Sequence, residues 1–342
     1  MQKRITLQPS FDYKVLFKSL FSNISHKKFI ISNSARSSFD LCLETAKAGD
    51  KYKNILIPDF ICSEIIPIIH KYNMNIIFYN IDSELNPDID LIENNIKSNS
   101  CILLVVNYFG KPSNWKSVFE LKDKYNFLTI EDNAHSLYGR YKDIDFGNLG
   151  DISFNSLRKV LPVLSGSTLK FNENMPHNIN LERRFINFSE FKYSLRNLKL
   201  NSIKNVSMLK NDKKSVYDDI LSIDYLSYKI FLYLEGKRDE MSYQRKVNYN
   251  YWSKFLGSSS LEKIDISAAD CPYAAPYIYN DIGECNKWLS WGRIHKINII
   301  KWPSFPNIAT HNLKNKKFER VLLFPVNHMF DLNNMGLKNA QN

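Results

Sequence analysis

The sequence predicts an α/β fold in which a mixed, mostly parallel sheet is sandwiched by helices and is followed by a smaller α+β domain. Between residues 28 and 154, short β-rich runs alternate with longer helical patterns. The run 102–106 is apolar on both faces, which indicates burial from both sides and parallel pairing. From 271 to 328 a second α+β pattern follows, punctuated by prolines.

The alternation places each element of the sheet domain in turn. The predicted strands are residues 29–32, 54–58, 76–80, 102–107, 128–131 and 152–154. The predicted helices are residues 37–48, 61–72, 91–97 and 115–125. Since ligands of parallel sheets bind beyond the carboxyl ends of strands, we seek the chemistry in the residues just past each strand.

Changes in composition suggest two domains. We expect a large domain over residues 1–235, of which about 178–235 is a helical connection rich in Lys, Asn, Ser and Tyr. We expect a small domain over 236–342, within which a helical pattern that begins at Ser242 leads into the α+β segment 271–328. A chain of 342 residues with 44% hydrophobic residues is long enough for two such cores.

Composition and motifs exclude several classes of protein. No apolar run reaches the roughly 18 residues of a transmembrane helix, and the first residues lack the apolar core of a signal peptide, so we expect a cytoplasmic protein without membrane insertion. Neither G-x-G-x-x-G nor G-x-x-x-x-G-K occurs. Five widely spaced cysteines predict buried free thiols and no metal site. The net charge of +11 is spread over scattered lysines, which favours phosphorylated small molecules over nucleic acid.

The most informative segment is residues 128–139 (LTIEDNAHSLYG), followed by 147–159 (GNLGDISFNSLRK). A predicted strand carries Asp132 to its carboxyl end, His135 follows three residues later, and a serine-containing turn precedes Lys159. This combination suits pyridoxal phosphate (PLP), which needs an acid at its pyridine nitrogen, a flat side chain near its ring and a lysine for its aldehyde. Taken singly, Asp132 could cap a helix, His135 could be a core histidine and Lys159 a surface charge.

The pattern I-E-D-x-A-H-x-x-x-G, then G-x-x-G-D-x-x-F and S-L-R-K, resembles the DegT/DnrJ/EryC1/StrS family of PLP-dependent sugar aminotransferases, which have fold type I. Further stretches agree with the family in the same order: residues 32–38, 57–60, 78–82 and 106–110, with weaker similarity at 244–249 and 323–328. The resemblance therefore covers roughly residues 29–168.

The resemblance implies roles for individual residues. Asp132 would pair with the pyridinium nitrogen, His135 would lie near the ring or its 3′ oxygen, and Lys159 would bind the cofactor's aldehyde covalently. Phe60 would stack near the cofactor. For the phosphate, the resemblance implies Ser153 or Ser156 together with the loop that opens a helix at Ala35, Arg36 and Ser37, because helix amino termini bind anions.

The sequence departs from the family pattern at two places. The usual spacing of five residues from Ser153 ends on Arg158, but an arginine stays protonated and cannot serve as the reactive amine. We therefore assign Lys159, with one extra residue in the turn or with Ser156 in the phosphate role. Residues 165–167 (Ser-Gly-Ser) stand where many members carry an acidic residue and two glycines.

The resemblance implies transfer of an amino group from an amino acid, with glutamate as the usual donor, to a nucleotide-linked keto sugar used for O-antigen or other surface glycans. It also implies a homodimer. Two alternatives remain open. One is a dehydration of the sugar, which some relatives perform with histidine in place of the lysine, although residues 153–159 contain no histidine. The other is a non-catalytic homologue with a binding or assembly role.

Overall fold

A computed structural model describes residues 4–22, 30–97, 100–171, 179–182, 185–186, 220–302 and 316–337. Two parts of the sequence-based prediction fall outside these residues. They are Phe29, the first residue of the first predicted strand, and most of the helical connection predicted for 178–235.

The amino-terminal unit contains nine described strands and six α-helices. The strands are β1 (Ile30–Ser32), β2 (Asn54–Pro58), β3 (Asn75–Tyr79), β4 (Cys101–Val106), β5 (Leu128–Asn133), β6 (Arg140–Tyr141), β7 (Ile144–Asp145), β8 (Ile152–Asn155) and β9 (Ser167–Phe171). The helices are α1 (Tyr13–Leu20), α2 (Ala35–Thr45), α3 (Ile66–Lys71), α4 (Ile89–Ile96), α5 (Trp115–Lys124) and α6 (Leu157–Val160), with 3₁₀ turns at Ser63–Ile65 and Tyr108–Gly110.

Seven of these strands form one mixed sheet in the order β1-β9-β8-β5-β4-β2-β3. Neighbouring strands from β8 to β3 pair in parallel, while β9 is antiparallel to both β8 and β1. Every residue of β4 and β5 is buried, as expected for central parallel strands covered on both faces. The predicted mostly parallel sheet is therefore confirmed.

Local chemistry explains where the helices begin. The Ser34 hydroxyl accepts the backbone N–H of Ser37 and caps α2, so this helix starts two residues before the predicted start. The predicted helix 61–72 is divided into a 3₁₀ turn and the shorter α3, whose second residue is Pro67. Because proline lacks an N–H and has a fixed φ, it is well suited to the first turn of a helix.

The carboxyl-terminal unit is an antiparallel sheet with helices. It is preceded by α7 (Tyr225–Glu235), which packs against α1 of the amino-terminal unit. The unit itself contains α8 (Arg238–Phe255), β10 (Glu262–Lys263), β11 (Ala274–Ile278), α9 (Ile282–Ile294), β12 (Ile300–Trp302) and β13 (Val321–Pro325), with 3₁₀ turns at Lys316–Arg320 and Leu332–Met335. The strand order is β10-β11-β13-β12. The predicted α+β pattern is thus present, and α8 begins four residues before Ser242.

The two units share one hydrophobic core. A continuous cluster of buried side chains includes Phe39 and Trp115 of the amino-terminal unit and Trp252 and Phe324 of the carboxyl-terminal unit. The division at residue 235 remains a prediction. Within the residues described, no helix combines the length and apolar character required to cross a membrane.

Candidate active site

A cavity of about 100 Å³ lies at the carboxyl edge of the large sheet, beyond β5 and β8. Six of the nine predicted site residues line it: Ala35, Arg36, Phe60, Asp132, His135 and Lys159. The parallel register explains this grouping. Asp132 pairs with Val106 on one side and with Phe154 on the other, so the three strand ends meet at one edge of the sheet.

Asp132 is a buried carboxylate near the end of β5. Its Oδ1 accepts the N–H of Ala134 at 2.7 Å. Burial raises the pKa of Asp132 to about 6, and the hydrogen bond from Ala134 and the positive charge of Lys159 oppose the rise. This acid would therefore be stabilised in its charged form by a cation placed against it.

His135 is held between two aromatic rings. Its imidazole stacks on Phe109 at 5.3 Å and on Tyr273 at 4.6 Å between ring centroids, with interplanar angles of 16° and 12°. Burial and the charge of Lys159 hold the pKa of His135 well below its usual value, so the ring is neutral. Its Nδ1 is buried and has no hydrogen-bond partner among the described residues. The ring thus offers one polar atom to a ligand in the cavity.

Lys159 lies on α6, the short helix between β8 and β9. Leu157 and Val160 of the same turn are buried, and this orientation directs Lys159 into the cavity while Arg158 is exposed. The Lys159 Nζ lies 5.7 Å from the centroid of the Tyr273 ring. Of the two residues considered for the reactive amine, the structure thus places Lys159 and not Arg158 in the cavity, and the role of Lys159 stays a prediction.

The amino terminus of α2 reaches the rim of the cavity through Ala35 and Arg36. Ser37 does not line the cavity, and its hydroxyl lies 2.9 Å from that of Ser34. An α-helix of 11 residues presents a positive dipole end and backbone N–H groups at its first turn. This rim is therefore suited to an anion.

The two candidate phosphate serines lie outside the lining of the cavity. Phe154 lines the cavity, and Ser153 precedes it on β8, so the alternation of a strand turns Ser153 to the opposite face. The Ser153 hydroxyl donates to the carbonyl of Gly147 at 3.0 Å. Ser156 is buried at the start of α6, and its side chain makes no capping hydrogen bond.

Aromatic side chains from both units close the cavity. Phe60 is fully buried, stacks on Phe318 at 4.4 Å and meets the edge of Trp302 at 5.0 Å between ring centroids. Trp302 ends β12 and lines the cavity, although the sequence analysis did not identify it. Tyr273 was also missed. Neither residue belongs to a recognisable motif, and both reach the site through packing between the two units.

Glu131 precedes Asp132 on β5, and its buried carboxylate accepts hydrogen bonds from the surrounding loops. Its Oε1 accepts hydrogen bonds from Asn107, Asn133 and the N–H of Gly147, and its Oε2 accepts the N–H groups of Leu149 and Gly150. Burial raises the pKa of Glu131, and these hydrogen bonds oppose the rise. This carboxylate fixes the loop that leads into β8.

A larger cavity of about 490 Å³ lies at the opposite edge of the sheet, where β5 begins. Three lysines and two aspartates line this cavity, and two of these residues, Lys122 and Asp151, form an ion pair. The smaller cavity is the candidate site because it holds a buried acid, an unpartnered imidazole nitrogen and an amine together. The described side chains of His, Cys, Asp and Glu form no group of three that would suit a metal ion.

Residues 10–166 match the model of the DegT/DnrJ/EryC1/StrS aminotransferase family. This confirms the resemblance found from the motifs. The chain is also 29% identical over 172 residues to an uncharacterised protein of Methanocaldococcus jannaschii. It is 22% identical over 149 residues to GDP-4-keto-6-deoxy-D-mannose 3-dehydratase of Escherichia coli O55:H7. These segments take in 49% and 41% of this chain, but only 44% and 38% of the two relatives.

Solved structures share the fold over nearly the whole chain. A protein of Streptococcus pneumoniae described as a sugar aminotransferase, in its PLP form, has a TM-score of 0.70 at 13% identity and covers 98% of this chain and 95% of its own. A variant of GDP-4-keto-6-deoxymannose-3-dehydratase with bound GDP-perosamine has a TM-score of 0.71 at 16% identity, with 96% and 97% covered. PseC of Helicobacter pylori, an aminotransferase, has a TM-score of 0.68 at 14% identity, with 98% and 96% covered. The predicted fold type I is confirmed.

Proposed function

We propose that this protein is a PLP-dependent aminotransferase that transfers an amino group from an amino acid to a nucleotide-linked keto sugar. The observation that carries the proposal is the meeting of Lys159, Asp132 and His135 in one cavity at the amino terminus of α2. Asp132 and His135 come from the end of β5 and the turn that follows it, and Lys159 comes from the short helix α6; each has the chemistry that the cofactor requires.

The residues fit the cofactor at each of its functional groups. The buried Asp132 would hold a pyridinium proton, and the cation would in turn favour the ionised carboxylate. The unpartnered Nδ1 of His135 would meet a polar group on the ring, and the first turn of α2 would face the phosphate. When bound, PLP supplies an electron sink that stabilises negative charge at a substrate carbon.

The side chains of this protein would then contribute proton transfer within a cavity from which water is excluded. Lys159 Nζ is the amine placed to bind the cofactor's aldehyde and, once released, to take the proton from the α-carbon of the amino donor. Asp132 would keep the ring nitrogen protonated, because its carboxylate would accept a hydrogen bond from the pyridinium N–H. Phe60 and Trp302 cover the cavity with apolar surface and exclude water from the reacting groups.

The remaining parts of the proposal concern substrates and setting. We propose glutamate as the donor and a nucleotide-linked keto sugar as the acceptor, in the synthesis of O-antigen or a related surface polysaccharide in the cytoplasm by a homodimer. Similar proteins support the sugar: one is named for a GDP-linked keto sugar, and others are named as sugar aminotransferases. The net charge of +11 favours a substrate that carries a diphosphate.

The absorption spectrum of the purified protein with added PLP tests the proposal. We expect a visible band that borohydride abolishes, and a stable mass increase on the peptide that contains Lys159. Lys159→Ala should fold but lack both signals, whereas the matched control Arg158→Ala should keep them, because Arg158 is exposed and lies outside the cavity. A band that persists in Lys159→Ala, or no band in the wild-type protein, would contradict the assignment.

Dehydration is the second candidate, because one relative is a keto-sugar dehydratase. A lysine lines the cavity here, and residues 153–159 contain no histidine, so we favour amino transfer. Incubation with glutamate and GDP-4-keto-6-deoxymannose separates the two reactions. Amino transfer releases 2-oxoglutarate in amounts equal to amino sugar, whereas dehydration gives a 3-deoxy sugar. A non-catalytic homologue would give neither product and no borohydride-sensitive band.

A further inference from the structure

Tyr273 lies behind the lining of the cavity and contacts two of the candidate catalytic side chains that line it. One contact is the stacking on His135, at 4.6 Å between centroids with an interplanar angle of 12°. The other is Lys159 Nζ, 5.7 Å from the ring centroid. The ring is 3% exposed, so it is fixed by packing on all sides. The same ring therefore limits the positions available to the imidazole and to the amine.

The backbone of Tyr273 is attached to the loop that carries the other ring of the stack. Its N–H donates to the carbonyl of Phe109 at 2.9 Å. The segments around Phe109 and Tyr273 can approach this closely because Gly110 has no side chain. A Cβ on Gly110 would lie 2.5 Å from the carbonyl oxygen of Cys271, and the φ of +95° at Gly110 also favours glycine. The Phe109–His135–Tyr273 stack is thus built jointly by the two units of the chain.

Arg245 of α8 connects this ring to the turn that carries Lys159. Its Nη2 donates to the carbonyl of Val160, the residue after Lys159, at 3.0 Å. Its Nη1 donates to the carbonyls of Pro272 and Tyr273 at 3.2 and 3.5 Å. Arg245 is fully buried, and its Nε also donates to the Nδ1 of His328 at 3.3 Å. One planar guanidinium therefore spans both segments.

We infer that Tyr273 is a positioning residue for His135 and Lys159, and that Arg245 holds it in register with the Lys159 turn. The inference rests on the proposed function, because it concerns the geometry from which Lys159 would react. The ring keeps the imidazole plane fixed, so that Nδ1 points to one place, and it restricts the ammonium to the side of the cavity where Asp132 lies. Pre-organisation of this kind is what positioning residues contribute to a reaction.

The test compares Tyr273→Leu, which removes the ring, with Tyr273→Phe, which keeps it and loses only the hydroxyl that Gln8 contacts at 3.4 Å. The first readout uses the protein without cofactor: trinitrobenzenesulfonate labels lysines, and peptide mass spectrometry follows Lys159 and, as an internal reference, Lys122 at the opposite edge of the sheet. The second readout is the rate at which added PLP becomes trapped on Lys159 by borohydride.

In Tyr273→Leu, we expect trinitrobenzenesulfonate to label Lys159 at least fivefold faster than in the wild-type protein and to label Lys122 at an unchanged rate. We expect PLP to become trapped on Lys159 at least tenfold more slowly. Tyr273→Phe should stay within twofold of wild type in both readouts. Should Tyr273→Leu fail to fold, Arg245→Lys gives the second comparison, with Lys159 labelling raised at least twofold because one ammonium cannot span both carbonyls.

Two results would overturn the inference. One is unchanged Lys159 labelling in Tyr273→Leu, or in Arg245→Lys if the first variant does not fold. The other is equal acceleration at Lys159 and Lys122, which would mean general loosening of the core. If the wild-type protein traps no PLP, the proposed function fails, but the labelling comparison still decides whether the ring restrains Lys159.

Discussion

Asp132 occupies a site that is unfavourable for a carboxylate in the protein alone. Burial raises its pKa from 3.8 to about 6. Because the folded state then binds the proton more tightly than the unfolded state, the contribution of Asp132 to stability is most favourable below about pH 4 and is lost as the pH rises to about 6 and above. A shift of about two pH units corresponds to roughly 3 kcal/mol, lost in full above the folded-state pKa.

The substitution Asp132→Asn should therefore stabilise the cofactor-free protein at pH 8, by up to roughly 3 kcal/mol, since an amide carries no charge to desolvate. The gain should disappear near pH 4, where the wild-type acid is protonated. Urea unfolding of both proteins at a series of pH values measures this difference. The exposed Asp143→Asn serves as control and should change stability by less than about 0.5 kcal/mol. A destabilised Asp132→Asn protein at pH 8 would refute the assigned cost of burial.

The same variant should retain the cofactor yet slow both half-reactions by orders of magnitude, because an amide cannot hold the pyridine nitrogen protonated. A catalytic residue often lowers the stability of the protein, so a substitution that raises stability and lowers the rate is expected at such a position. Rapid-mixing absorbance measurements of each half-reaction give the rate. A near-normal rate would remove Asp132 from its proposed role.

Among the elements, the loop between β7 and β8 depends on one carboxylate. Glu131 on β5 accepts N–H groups from Gly147, Leu149 and Gly150. A loop of this kind cannot satisfy its donors with water when it is buried, so the charge replaces the missing partners. The loop in turn sets the start of β8, and β8 leads to the turn with Lys159.

We expect Glu131→Ala to lower the free energy of unfolding by roughly 3 kcal/mol or more, because it leaves several buried donors without acceptors. Glu131→Gln should be less damaging, since the amide keeps one acceptor oxygen. Chemical denaturation measures both, with the exposed Asp145→Ala as a control within about 0.5 kcal/mol of wild type. If Glu131→Ala is no less stable than this control, the loop does not depend on the carboxylate.

How far the sequence predicts an element depends on whether its signal is local. The bounds of β2 were predicted without error, because a short apolar run rich in isoleucine ends at Pro58. The motif around Asp132 and His135 also lies within a few residues of chain. The roles of Tyr273 and Arg245 could not be predicted in the same way, since the contact of Tyr273 with His135 and that of Arg245 with Val160 each join residues more than 80 positions apart and arise only when the two units pack.

At the scale of the whole molecule, the chain crosses between its two units more than once. Ile5, near the amino terminus, forms a parallel bridge with Ile297 beside β12, and its side chain is 1% exposed. The backbone N–H of Ile5 donates to Lys296, and that of Asn298 donates to Ile5. The first residues thus pack with the carboxyl-terminal unit, although the sequence suggested a single boundary at 235. A core shared in this way predicts one cooperative unfolding transition.

Ile5→Ala tests that cooperativity. Truncating a buried isoleucine costs about 2–5 kcal/mol, and because the core is continuous the loss should appear equally in both units. Hydrogen exchange under native conditions measures it: the slowest amides of β4 and of β13 should lose protection by the same factor. Thr6→Ala is the matched control, since the Thr6 hydroxyl donates an exposed hydrogen bond to the carbonyl of Gln8, two residues along the chain. Loss of protection confined to β13 would mean that the two units unfold separately, and the site between them would then open whenever the carboxyl-terminal unit does.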